Sequence, residues 1–101
     1  MSAYRLSPAA ESDLSDIWDF TVRQWDKDQA ERYLLAIRDR LEGIASGRVP
    51  LRSADDVRAG YFKCAAGSHM IYFTRAPDQT FDIVRILHQS MDVEGRFRDP
   101  S

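Results

Sequence analysis

Phe81-Asp82-Ile83-Val84-Arg85-Ile86-Leu87-His88 is a stiff apolar run that stops in charge. β-Branched and aromatic residues dominate it, which predicts a strand over Thr80–His88. Apolar side chains fill both alternating faces, as in a central strand covered on two sides. Arg85 inside the run and His88 at its exit are the polar groups that a site would use, as a phosphate clamp and a general acid or base. The structural reading of Arg85 is preferred: its stem packs in the core and its head reaches a carboxylate or a loop carbonyl.

Upstream, Val57–Cys64 and His69–Thr74 read as two more strands. Ala65-Ala66-Gly67-Ser68 and Ala76-Pro77-Asp78-Gln79 are the turns between the three. Connections this short require neighbouring antiparallel strands, a meander. Leu51–Asp56 reads as a polar loop. Before it lie two amphipathic helices. The first is capped by Ser7 with Pro8 at its first position, and Leu14, Ile17, Trp18, Thr21, Val22 and Trp25 form its apolar stripe. Asp13, Asp16, Asp19 and Arg23 are assigned mostly to its polar side. The second starts at Asp26 with Gln29 as capping-box partner, buries Ala30, Tyr33, Leu34, Ile37, Leu41 and Ile44, and stops at Gly47. Tyr4-Arg5-Leu6 is a short extended segment whose place in the sheet is left open. The expected fold is α+β, in the order β-α-α-β-β-β, with a helical hairpin on one face of a small antiparallel sheet.

The 101 residues fit one domain over 1–101. The chain is 44% hydrophobic and 30% charged, an ordinary globular composition. No stretch predicts a membrane helix and no apolar signal core opens the chain, so a cytoplasmic protein is expected. A single Cys64 excludes an internal disulfide and any cysteine-based zinc cage. The formal net charge is −2, with seven basic and nine acidic side chains in residues 1–50 and seven of each in 51–101. Phosphate-holding proteins usually carry a basic excess, so no direct contact with nucleic acid is expected.

Neither histidine sits at ligand spacing from an acid, and no metal or cofactor is expected. His69 follows a turn and reads as exposed. Ser68 and Ser90 lack a nucleophile-elbow pattern, and there is no Gly-rich phosphate loop. Arg58, Lys63, Arg75 and Arg85 add basic groups to the sheet, but the odd spacing of Arg58 and Lys63 puts them on opposite faces of a strand. Tyr61, Phe62, Tyr72 and Phe73 read as core plus an aromatic outer face rather than a base-stacking platform. Trp18 and Trp25 on one helix, with Tyr33 on the next, suit a protein-docking surface, and an exposed sheet edge would invite strand addition.

Four segments in register carry a resemblance. They are Tyr4-Arg5-Leu6-Ser7-Pro8-Ala9-Ala10 with Asp16-Ile17-Trp18, then Arg58-Ala59-Gly60-Tyr61, then Gly67-Ser68-His69, then Arg85 through Asp92. Together they resemble the ParE toxins of the RelE/ParE superfamily, from bacterial type II toxin–antitoxin modules. The resemblance implies the RelE-like fold and a toxin that inhibits DNA gyrase by binding, with no catalytic residue of its own. It also implies a ParD-like antitoxin, held in a hetero-oligomer. On this reading Trp18, Trp25, Tyr33, Arg58, Arg75 and Arg85 meet the antitoxin, and His88, Met91, Arg96 and Phe97 meet the target. The RelE branch of the superfamily cleaves mRNA on the ribosome. That alternative would make Arg58, Arg85 and His88 catalytic, and the acidic charge balance and the absence of a Tyr beside His88 count against it.

Overall fold

The computed structural model describes residues 3–89. The apolar run becomes strand β5, Phe81–His88, and its neighbour across the turn is β4, His69–Arg75. β3 is Phe62–Ala66, β2 is Arg52–Ser53 and β1 is Tyr4–Leu6. Helices α1, Pro8–Gln24, and α2, Lys27–Ser46, complete the α+β fold. The sheet order is β1-β5-β4-β3-β2. β5 is therefore an inner strand, as its two apolar faces require.

The sheet is mixed, not purely antiparallel. β1 lies parallel to β5, with Tyr4 opposite Phe81 and Leu6 opposite Ile83. This corrects the expected antiparallel sheet; parallel pairing is open to β1 because the whole helical hairpin and the meander separate it from β5. Among the described residues there are five strands rather than four, since Arg52–Ser53 inside the expected polar loop pairs with Lys63 and Phe62. The expected strand Val57–Cys64 begins later. Residues 57–61 instead form tight turns, with Val57 and Arg58 N–H donating to the Ala54 carbonyl and Tyr61 N–H to the Arg58 carbonyl. Ala65 and Ala66 belong to β3, not to the turn. Gly67 sits at φ +61°, and a Cβ there would lie 2.7 Å from the Tyr33 ring, so the two-residue turn requires glycine twice over.

The helix signals act as read. The Ser7 hydroxyl accepts from Ala10 N–H, Asp26 accepts from Gln29 N–H, and Gly47 ends α2 in the left-handed conformation. The hairpin buries Ile17, Ile37, Leu41 and Ile44 against Cys64, Ile71, Phe73, Ile83 and Ile86 on one sheet face. The 54–61 loop covers the other face, with Ala54, Val57 and Tyr61 over Tyr72, Met70 and Leu87. Two members of the expected α1 pattern depart from it. Trp25 is the C-cap and is 73% exposed, while Asp13, assigned to the polar side, is buried. No helix among the described residues is long and apolar enough to cross a membrane.

Candidate functional site

β1 ends at Leu6, so the outer edge of β5 beyond Ile83 has no strand beside it. The start of α1 fills that place. Ser7 N–H donates to the Ile83 carbonyl at 2.9 Å and the Ser7 hydroxyl donates to the Val84 carbonyl at 2.8 Å. Further along α1, the Asp13 carboxylate accepts from Ile86 N–H at 2.9 Å. The same carboxylate receives Arg85 as a fork, with Nε 2.8 Å from one oxygen and a terminal nitrogen 2.7 Å from the other. The register shifts by one residue between Tyr72 and Phe73, where they pair with Arg85 and Ile83, and this irregularity lies beside the bidentate pair. Asp13 raises the Arg85 guanidinium further above its ordinary range, chiefly through the hydrogen bond.

Beyond this pair, β4 and β5 end in two imidazoles. His69 and His88 face each other edge to face with ring centroids 5.2 Å apart. The Tyr33 hydroxyl reaches across from α2 to His69 Nδ1 at 2.7 Å and accepts Ser68 N–H at 2.8 Å. His69 is half-buried, not exposed as the sequence suggested, because Tyr33 and His88 close over it. Burial first, and then the His88 charge, lower its proton affinity, while Asp13 pulls weakly the other way. The neutral ring can accept a hydrogen bond from the Tyr33 hydroxyl on Nδ1. A protonated ring would donate from Nδ1 instead, and the hydroxyl would turn to the Ala66 carbonyl 3.3 Å away.

These groups open into a groove of about 520 Å³ between α1 and the ends of β4 and β5. Ile17, Phe20 and Ile86 give it apolar walls, Asp16, Asp19 and Arg23 a charged rim, and His69 and His88 its inner end. No group of three or more His, Cys, Asp or Glu side chains capable of holding a metal exists among the described residues.

The sequence-selected residues do not fall on one surface. Arg85, His88 and Tyr33 gather at this end of the sheet. Trp18 is half-buried on α1 and Trp25 stands exposed at its C-terminus. Arg75 lies at the far end of β4, about 20 Å away at ordinary strand rise. There its guanidinium sits 5.3 Å over the Phe81 ring, beside a second groove of about 320 Å³ under Gly47–Leu51. Arg58 belongs to the turns over the opposite sheet face, not to a strand, so the alternation argument that set it against Lys63 does not apply. Met91, Arg96 and Phe97 lie outside the described residues. The residue that sequence reading missed is Asp13. Its signal was present: Ala10, Asp13, Ile17 and Thr21 repeat at helical spacing, and a carboxylate on that line matches an arginine in a core strand.

Residues 4–93 match the profile of the family described as ParE toxin of type II toxin-antitoxin system, parDE. Toxin ParE1 of Mycobacterium tuberculosis is 43% identical over 93 residues, covering 92% of this chain and 95% of that protein. Toxin ParE1 of Caulobacter vibrioides is 37% identical over 95 residues, covering 94% and 97%. The fold matches a solved chain of the chromosomal ParDE system of P. aeruginosa with a TM-score of 0.75 at 16% identity, covering 87% of this chain and 96% of that one. A chain of the Mycobacterium tuberculosis RelBE2 toxin–antitoxin complex matches with a TM-score of 0.57 at 20% identity, covering 86% and 96%.

Proposed function

The chain belongs to the ParE toxins of type II toxin–antitoxin systems, and on that premise we propose that it inhibits DNA gyrase by binding, without a reaction of its own. A ParD-like antitoxin keeps it silent in the cytoplasm. A partner segment that folds on contact would bury a large area, offsetting its ordering cost.

One observation carries the non-enzymatic reading. A ribonuclease of this fold would need its cations gathered on the reacting phosphate. Here Arg85 is spent on Asp13 in a bidentate bond. Arg58 sits in turns over the sheet face away from the helices, whereas His88 packs against His69 on the helix side. This arrangement supports a toxin that acts by binding rather than by cutting a phosphodiester.

A supercoiling assay with purified gyrase tests this directly. Inhibition is expected at stoichiometric toxin, with cleaved DNA accumulating and with the antitoxin restoring activity. A parallel primer-extension assay on translating ribosomes should show no new mRNA ends. Codon-dependent cuts that disappear in His88→Ala, with gyrase unaffected, would instead establish the ribonuclease.

A further inference from the structure

We propose that the β2 edge of the sheet is a receptor for an acidic, extended segment of the antitoxin, recognised by Arg52 and Lys63. This rests on the toxin–antitoxin reading above and names where on the sheet, and by what chemistry, the partner is held.

Two independent features point there. The first is charge. Arg52 and Lys63 stand directly opposite each other across the β2–β3 ladder. Like charges in that position repel, with Cβ atoms about 5 Å apart. No carboxylate within 4.0 Å relieves either of them among the described residues. The other open edge differs: on β1, Arg5 is already bonded to Asp82 at 2.9 Å and lies near Asp78. The cation pair on β2 is the one left waiting for an anion.

The second feature is backbone. Ala54 N–H donates to the Tyr61 carbonyl, continuing the ladder in which Arg52 faces Lys63. Antiparallel alternation then turns the N–H and C=O of Leu51 and Ser53 away from β3. β2 ends the strand order, so these groups form an open edge. Pro50 stops pairing with β3, but its missing N–H would have pointed inward; the outer edge is intact there. Leu51, 42% exposed, offers an apolar contact beside it. An added strand bonded to Leu51 and Ser53 would place one of its residues opposite Arg52 in a non-hydrogen-bonded pair, where side chains approach most closely. Asp or Glu at that position neutralises both cations.

The same pair thus costs stability in the free protein and contributes affinity in the complex, and the two effects should separate. In Arg52→Gln/Lys63→Gln the free full-length protein should melt about 1–4 °C higher at low ionic strength, while antitoxin binding by calorimetry should weaken at least tenfold. Hydrogen exchange of the wild-type complex should show protection of the Leu51 and Ser53 amides. A complex that forms with those amides unprotected and with unchanged affinity in the double variant overturns the β2 site but leaves the antitoxin reading standing. Failure of the wild-type chain to bind the antitoxin at all overturns both.

Discussion

Asp13 accepts three hydrogen bonds with two oxygens: two from the Arg85 fork and one from Ile86 N–H. Removing it would strand a largely buried guanidinium and an orphan backbone donor, each costly when water is excluded. Asp13→Ala should lose about 3–4 kcal/mol in urea unfolding. Arg85→Met should lose about as much, because it leaves the Asp13 carboxylate, the more buried partner at 10% against 22% side-chain exposure, without its counter-ion. A loss below about 1 kcal/mol in Asp13→Ala would mean that the pair is solvent-compensated. His69 makes the second residue-scale prediction. The unfolded imidazole protonates near 6.5, and the folded one only in more acid solution, since burial and His88 oppose the charge. Between those points the unfolded chain binds more protons. Stability is therefore fully present above about pH 6.5 and declines as pH falls toward the folded value. Thermal melts at pH 7.5 and 5.0 should show a smaller acid loss in His69→Asn than in the wild type; equal losses would remove His69 as the cause.

At the scale of elements, the junction of β1 and α1 holds most of the design. Ser7 caps α1 through Ala10 N–H and closes the β5 edge through Val84 and Ile83. A cap alone contributes about 1 kcal/mol, so Ser7→Ala, which also leaves the Val84 carbonyl without its hydroxyl donor, should cost about 1–2 kcal/mol by chemical denaturation. Asp26→Ala, whose side chain serves only its own helix start, should cost about half as much. These caps were readable from sequence because a cap is a local device: Ser7-Pro8 and Asp26 with Gln29 need no tertiary partner to signal a helix start. The strand from Val57 was misplaced for the converse reason. Val57 and Tyr61 look like strand residues, but their apolar surface goes to Tyr72 and Leu87 from a loop lying over the sheet. Composition reports burial and does not say by which backbone path a residue is buried.

Across the whole molecule, what was legible was layer and order, and what was hidden was pairing at a distance. Two amphipathic helices and three apolar runs leave few architectures. Yet the parallel seat of β1 and the Arg52–Ser53 strand depend on partners 77 and about ten residues away, which no local pattern encodes. The candidate site divides on the same line: Arg85 and His88 stood out on a core strand, whereas Asp13 and Tyr33 acquire meaning only when α1 and α2 are laid on the sheet. The surface that remains carries the last prediction. Trp25, the C-cap of α1, is 73% exposed and Phe20 on α1 is 57% exposed, with Phe20 forming part of the groove that ends at His69 and His88. Large aromatics left in water add little to the fold, and at interfaces they are the usual anchors. Phe20→Ala/Trp25→Ala should therefore leave the melting temperature within about 4 °C of wild type, since exposed substitutions stay near ±0.5 kcal/mol. The same variant should bind the antitoxin at least tenfold more weakly, because each anchor typically contributes 1–2 kcal/mol or more once buried. Differential scanning fluorimetry and calorimetry on one preparation give both numbers. A drop in melting temperature with unchanged affinity would assign the two rings to the fold and leave α1 outside the interface.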